Sequence, residues 1–123
     1  MYELTVKGEF AASHSLRDYE GKCKKLHGHT WHVDVVVRGK KVNSVGMLID
    51  FKEIKGDLKK ILETLDHVHL NNLPHFKKVN PTSENIAKHI FDCLTKSIRG
   101  VKVQKVTVWE SEKSGASYEK SSK

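Results

Sequence analysis

Two closely spaced histidines lead into a valine-rich run in the stretch His27-Gly28-His29-Thr30-Trp31-His32-Val33-Asp34-Val35-Val36-Val37-Arg38-Gly39. β-Branched residues favour extended backbone, and the closing glycine is a natural place for the chain to turn. Side chains two residues apart on a strand point to the same face. The stretch therefore predicts a strand from about residue 27 to residue 38 that begins with two imidazoles on one face.

A regular alternation runs through residues 2–14, upstream of this strand. The odd positions are mostly polar and the even positions mostly apolar, which is typical of a half-buried strand. Its predicted inner face ends on a histidine, and a polar, basic loop follows over residues 15–26. The inner-face residues are Tyr2, Leu4, Val6, Phe10, Ala12 and His14.

The apolar period becomes helical downstream of residue 50. Asp50 and Glu53 form a plausible capping box for a first helix. A second helix is expected to begin with Thr82 or Ser83 as its cap and to end before Gly100. The apolar faces consist of Phe51, Ile54, Leu58, Ile61, Leu62 and Leu65 in the first helix, and of Ile86, Ile90, Cys93 and Leu94 in the second.

Two further strands complete the predicted order. Val101 to Trp109 is rich in β-branched residues, and a short strand is expected after a turn at Ser114-Gly115. The order β-β-α-α-β-β predicts an α+β fold with a four-stranded antiparallel sheet and two helices on one face. Such an open sheet leaves two unpaired edges. We therefore expect an oligomer that pairs sheet edges into a barrel.

Length and composition limit the class of protein. The 123 residues, 37% hydrophobic and 30% charged, predict one soluble domain over residues 1–123. No apolar run approaches the roughly 20 residues that span a bilayer. The N-terminus lacks the plan of a secretion signal, so we expect a cytoplasmic protein. The net charge of +7 comes from lysines spread along the chain, which argues against nucleic-acid binding.

Three histidines form a candidate metal site. His14 ends the inner face of the first strand, and His27 and His29 begin the second. Three imidazoles suit Zn²⁺ and leave its fourth position open, as in catalytic sites, although other divalent ions remain alternatives. His32 has the opposite parity, so we expect it at the surface or in the second shell.

Cys23 and the segment around Asp66 could supply acid–base chemistry. Lysines beside Cys23 and a nearby metal would lower the pKa of the thiol, although a free surface thiol is the simpler interpretation. Asp66 and His67 follow the first helix, where they could cap its C-terminus or form a carboxylate-oriented base. His69 is an alternative to His67 for that role.

Two further residues are candidate substrate contacts. Glu110 ends a predicted strand, where a glutamate is usually solvated. In a closed pocket its carboxylate could accept two parallel N–H bonds from an amidine-like edge, such as that of a pterin or guanine. Thr82 begins a helix, and the free amides there could help to hold a ligand.

Six short motifs in order resemble the 6-pyruvoyl-tetrahydropterin synthase family over nearly the whole chain. This resemblance implies the tunnelling fold, whose β-β-α-α-β-β order agrees with the pattern above. The family's subunits pair sheets into barrels, typically as homohexamers of two stacked trimers. The motifs are Phe10-Ala11-Ala12-Ser13-His14, Cys23-x3-His27-Gly28-His29, Gly46-Met47-Leu48-Ile49-Asp50-Phe51, Leu65-Asp66-His67-x-x-Leu70-Asn71, Asn80-Pro81-Thr82-Ser83-Glu84-Asn85 and Trp109-Glu110.

The resemblance also implies roles for these residues. Zinc would be held by His14, His27 and His29, with Cys23 as the general base. Asp66 and His67 would complete a proton relay, and Glu110 would anchor the pterin ring of 7,8-dihydroneopterin triphosphate. The family's active sites lie between subunits, so an isolated monomer is expected to be inactive.

The spacing of three residues between Cys23 and His27 is typical of the 6-carboxy-tetrahydropterin synthases of the 7-deazaguanine (queuosine) pathway. The expected reaction therefore releases triphosphate and acetaldehyde. The alternatives are 6-pyruvoyl formation, side-chain cleavage assisted by Glu20, and a pterin- or metal-binding module without turnover. An RNA-binding module is a further alternative, which nothing in the chain requires.

Overall fold

The computed structural model describes residues 1–18 and 25–121, which form a mixed five-stranded sheet and two α-helices. The elements are β1 (Tyr2–His14), β2 (His27–Gly39), α1 (Phe51–Glu63), β3 (Val68–His69), α2 (Ser83–Ser97), β4 (Lys102–Ser111) and β5 (Ser114–Glu119). Short 3₁₀ turns cover Leu70–Asn72 and Pro74–Phe76. The strand order across the sheet is β3-β1-β2-β4-β5.

The sheet departs from the predicted four antiparallel strands through β3. This two-residue strand runs parallel to β1, with Val68 opposite Ala12 and His69 opposite Ser13. Two residues are too few to show the alternation by which a strand is recognised in sequence. The prediction of a purely antiparallel, four-stranded sheet was therefore wrong, whereas the α+β class with two helices is confirmed.

One hydrophobic core lies between the helices and a single face of the sheet. Buried residues of β1 and β2 are paired side by side on the same face of the sheet. Phe10 lies beside Trp31, and Val6 lies beside Val35. Helix α1 packs closely on β1 at Gly8, where a Cβ atom would lie 2.8 Å from a side-chain methyl carbon of Leu62. A larger residue there would force the Leu62 side chain to move.

Both helices begin at predicted N-caps. The Asp50 carboxylate accepts a hydrogen bond from the Lys52 amide, and the Thr82 hydroxyl accepts one from the Asn85 amide. The Glu53 side chain makes no hydrogen bond back to Asp50 among the described residues, so the predicted capping box is only half formed. Helix α2 ends before Gly100, whose φ of +82° favours glycine.

Smaller details of the second half of the chain differ from expectation. Cys93 is half-buried on α2 rather than enclosed, and burial raises the pKa of its thiol. The last turn lies at residues 112–113, so Ser114 already begins β5. Within residues 1–18 and 25–121, no helix is long and apolar enough to cross a bilayer.

Candidate functional site

The sheet register brings the three predicted metal ligands together. His14, the last residue of β1, lies directly opposite His27, the first residue of β2. His29 is two residues further along the same face, which is the face covered by the helices. The ring centroids of His14 and His27 are 4.5 Å apart, and those of His27 and His29 are 4.6 Å apart. His32 lies on the opposite face and is exposed, as its parity predicts.

Backbone carbonyls fix the proton positions of two of these rings. The Nδ1 atom of His14 lies 2.7 Å from the Pro81 carbonyl oxygen, and that of His27 lies 2.7 Å from the Lys25 carbonyl oxygen. Because a carbonyl can only accept, each Nδ1 carries a hydrogen, and in the neutral form of each ring Nε2 then carries the lone pair. Such a carbonyl contact is the usual second shell of a metal-bound histidine.

The two Nε2 lone pairs face each other across 3.0 Å. Two lone pairs at this distance repel unless a positive ion or a shared proton lies between them. Two nitrogens bound tetrahedrally to one zinc ion at its usual bond length lie about 3.3 Å apart. The donor set and its spacing therefore fit a zinc-sized cation.

Glu110 joins the three histidines from β4. One of its carboxylate oxygens lies 3.1 Å from the Nε2 atom of His29. That nitrogen is buried and, among the described residues, has no partner with hydrogen-bond geometry. One donor atom from each of His14, His27, His29 and Glu110 lies within 4.8 Å of the other three, an arrangement that could hold a metal ion.

Burial favours the neutral form of two of these rings. Removal from water lowers the pKa of both His14 and His29; the hydrogen bond to Pro81 opposes the shift of His14, and the Glu110 charge opposes both shifts. Neutral imidazoles are the form that binds metal ions, so burial favours the metal-binding form of His14 and His29.

Trp31 forms the inner wall of the cluster, a role that the sequence analysis did not assign. It is fully buried, and its ring meets those of His14 and His29 edge-to-face at 4.9 and 5.1 Å. Its indole N–H donates to the Ala12 carbonyl, which fixes the ring. The signal was present in the sequence, because Trp31 has the same strand parity as His27 and His29.

An open cavity of about 380 Å³ adjoins the cluster. Its lining includes His14, Glu110 and Thr82, together with Arg17 from the segment after β1. The structure thus brings both candidate substrate contacts to the same cavity as His14, one of the candidate metal ligands. The Thr82 hydroxyl already accepts the capping hydrogen bond of α2 at 3.1 Å.

Two asparagines hold the segment that follows His14. The Asn71 side chain accepts from the Ser15 amide and donates to the Ser15 carbonyl, at 2.9 and 2.8 Å. Asn80 makes the same pair of bonds with Arg17. Both asparagines fall within the quoted motifs, yet their spacing alone gave no indication of this role.

Asp66 and His67 lie together at the edge of β1 that β3 pairs with. The Asp66 carboxylate accepts a hydrogen bond from the Ala11 amide, which lowers its pKa, and its second oxygen lies 2.9 Å from the His67 Nδ1 atom. His67 has a φ of +56°, a conformation that is uncommon outside glycine. His69 instead contacts the Ser13 hydroxyl at 3.1 Å. The carboxylate-oriented histidine is therefore His67.

The predicted metal ligands and the predicted proton relay lie apart within the described part of this chain. There, Asp66 and His67 make no hydrogen bond or ion pair with the cluster of His14, His27, His29 and Glu110. The His67 side chain is 82% exposed. Cys23 and Glu20 lie outside the described residues.

Comparison with known proteins identifies the family. A model of the family described as 6-pyruvoyl tetrahydropterin synthase matches residues 3–121. The chain belongs to this family. The resemblance inferred from the motifs is thereby confirmed.

Individual relatives in the family carry names of three different activities. A dihydroneopterin monophosphate aldolase of Pyrococcus furiosus is 33% identical over 117 residues, covering 94% of this chain and 96% of the relative. A 6-carboxy-5,6,7,8-tetrahydropterin synthase of Rickettsia bellii is 32% identical over 108 residues, covering 73% and 78%. The structure of Caenorhabditis elegans 6-pyruvoyl tetrahydropterin synthase matches with a TM-score of 0.89 at 29% identity, covering 98% and 96%.

Proposed function

We propose that the protein is a zinc-dependent lyase that converts 7,8-dihydroneopterin triphosphate to 6-carboxy-5,6,7,8-tetrahydropterin. Water is consumed, and triphosphate and acetaldehyde are released. The observation that carries this proposal is the convergence of three imidazole nitrogens beside Glu110, at a cavity of this family's fold. The metal held by His14, His27 and His29 would act as a Lewis acid toward the side-chain hydroxyls of the substrate.

Glu110 is the proposed anchor of the pterin ring. Its carboxylate belongs to the histidine cluster and lines the open cavity, so a ring held there would direct its side chain toward the three histidines. Two parallel N–H bonds from the guanidine-like edge of a pterin match the two oxygens of one carboxylate. Thr82 lines the same cavity and is the second proposed substrate contact.

Cys23 is the proposed general base, and Asp66 with His67 the proposed relay. The short contact between Asp66 and His67 holds the imidazole by Nδ1, which leaves Nε2 free to exchange a proton. A neighbouring subunit would supply this pair to a histidine cluster, in a barrel-forming homohexamer of two trimers. The separation of the two groups within one chain supports such a shared site.

Side-chain cleavage is the second candidate reaction. The aldolase of Pyrococcus furiosus aligns over nearly the full length of this chain and supports it. The three residues between Cys23 and His27 favour the 6-carboxy reaction of the 7-deazaguanine (queuosine) pathway. Formation of a 6-pyruvoyl product would use the same metal, base and anchor.

The test is mass analysis of the products formed by zinc-loaded protein from 7,8-dihydroneopterin triphosphate. We expect 6-carboxytetrahydropterin and acetaldehyde in equal amounts. A 6-pyruvoyl product, or a pterin shortened to its hydroxymethyl form, would replace the 6-carboxy assignment by the corresponding alternative. Unchanged substrate would favour a binding module. Cys23→Ala should retain zinc and pterin binding and lose turnover, whereas full activity in this variant would remove Cys23 as the base.

A further inference from the structure

Glu110 has two competing partners at the same site. Its carboxylate is the proposed acceptor for the pterin edge, yet one of its oxygens lies 3.1 Å from the His29 Nε2 atom. The side chain is 31% exposed, so it faces both the cluster and the cavity. A carboxylate that accepts two parallel N–H bonds must use both oxygens. Accepting the ring with both oxygens would therefore compete with the contact to the histidines.

We propose that Glu110 is a fourth protein ligand of the metal in the substrate-free protein and leaves this position when it binds the pterin ring. This inference rests on the proposed function, because it requires a metal at the histidines. It adds that pterin binding opens the metal's fourth position. In the substrate-free protein the coordination sphere would be closed by protein groups alone.

The geometry supports direct ligation rather than a simple ion pair. The buried His29 Nε2 atom lies 3.1 Å from the Glu110 oxygen without hydrogen-bond geometry, so the contact is not explained by a shared proton. The four donor atoms lie within 4.8 Å of one another. Three nitrogens and one carboxylate oxygen are a familiar donor set for four-coordinate zinc. A cation at their centre satisfies all four groups.

The consequence is that ring recognition and metal activation are coupled. A metal whose four positions are filled by protein groups has no site for water or substrate, as in structural zinc sites. Removing Glu110 opens one position, which creates the catalytic form. The side-chain hydroxyls of a bound pterin would then meet a metal with a free coordination position.

Co²⁺ provides a test that does not depend on turnover, because its visible absorption reports coordination number and ligand type. The protein is loaded with one equivalent of Co²⁺, and spectra are recorded with and without unsubstituted pterin. This probe has the guanidine edge and no side-chain hydroxyls. Glu110→Gln preserves size, Glu110→Ala removes the ligand, and Glu84→Gln is the control because Glu84 lines the same cavity outside the cluster.

We expect pterin to change the spectrum of the wild type and of Glu84→Gln. Both Glu110 variants should show an altered spectrum without pterin and little further change when it is added. Their Zn²⁺ affinity, measured against a competing chelator, should fall by about 10-fold or more. The inference would be overturned if the Glu110 variants had the Co²⁺ spectrum of the wild type and a Zn²⁺ affinity within twofold of the wild-type value. So would a wild-type spectrum unchanged by saturating pterin.

The same measurements separate this inference from the proposed function. Co²⁺ bound by the histidines, together with normal product formation and no effect of Glu110 on the spectrum, would overturn the fourth ligand alone. Failure of the wild type to bind Co²⁺ or Zn²⁺ would overturn both. If the protein binds metal through Glu110 but converts no substrate, Glu110 stands as the fourth ligand and the proposed reaction is wrong.

Discussion

At the scale of single residues, the contrast between His27 and His32 shows what strand parity determines. Both lie on β2, but His27 faces the histidine–glutamate cluster and His32 faces solvent on the other side of the sheet. His27→Ala should lower Zn²⁺ affinity by more than about 100-fold, since a ligand outweighs the second-shell groups that support it. Competition with a chromophoric chelator measures this. His32→Ala is the matched control, and equal affinities of the two variants would contradict the ligand assignment.

Asn71 is a residue whose importance comes from hydrogen bonds rather than packing. Its buried side chain satisfies both the amide and the carbonyl of Ser15, the residue after His14. Asn71→Ala leaves both groups unpaired and should reduce the free energy of unfolding by roughly 2 kcal/mol. Urea denaturation of the metal-free protein measures the change. Asn72→Ala, at an exposed position, should have little effect, and equal losses would contradict this explanation.

His89 gives stability a pH dependence at the residue scale. Burial lowers the pKa of His89, with a smaller contribution from His75, while Asp92 opposes the shift. The half-buried Cys93 thiol also contacts its ring. The folded protein therefore resists protonation at this position, and stability is lost as pH falls below the ordinary histidine pKa of 6.5, until it passes the folded pKa.

The His89→Gln variant should lose less unfolding free energy than the wild type as the pH falls. The slope of unfolding free energy against pH should decrease by up to about 1.4 kcal/mol per pH unit, the value for one proton. Urea titrations of metal-free protein at several pH values below neutrality measure the slope. His32→Gln removes an exposed ring and serves as the control. An unchanged slope in His89→Gln would show that this ring does not carry the effect.

At the scale of elements, the start of α2 serves both stability and the cavity. The Thr82 hydroxyl caps the helix, while Pro81 just before it accepts the hydrogen bond from His14. Thr82→Ala should cost about 1 kcal/mol of unfolding free energy, whereas Thr82→Ser should preserve the cap. Thermal and urea unfolding compare the two. If Ser also lost stability, a role of the Thr82 methyl group in packing would replace the cap as the explanation.

The strand β3 shows where element prediction failed and why. Val68 and His69 pair with β1 because the preceding turn, with His67 in a left-handed conformation, directs the chain along that edge. The pairing partner lies more than fifty residues away, so neither a local period nor a propensity can reveal it. The longer elements gave strong local signals, and their caps at Asp50 and Thr82 are those predicted.

At the scale of the whole molecule, the separation of the histidine cluster from Asp66 and His67 leads to a prediction about assembly. If active sites combine groups from two subunits, His27→Ala and His67→Ala would each be inactive alone. Mixing after dissociation should restore about a quarter of the wild-type rate, the fraction expected for random pairing of two half-sites. Steady-state assays of the mixture measure this. Mixtures that stay inactive while forming mixed oligomers would place both groups in one subunit.

The sequence by itself determined the α+β class, the strand parity that puts His14, His27 and His29 on one face, and the two helix caps. These depend on local periodicity and on side chains near in sequence. Only the tertiary structure decided that Glu110 meets His29, that Trp31 walls the cluster and that His67, rather than His69, pairs with Asp66. Those contacts depend on sheet register, turn conformation and the side-chain rotamers chosen in packing. Local sequence does not specify them.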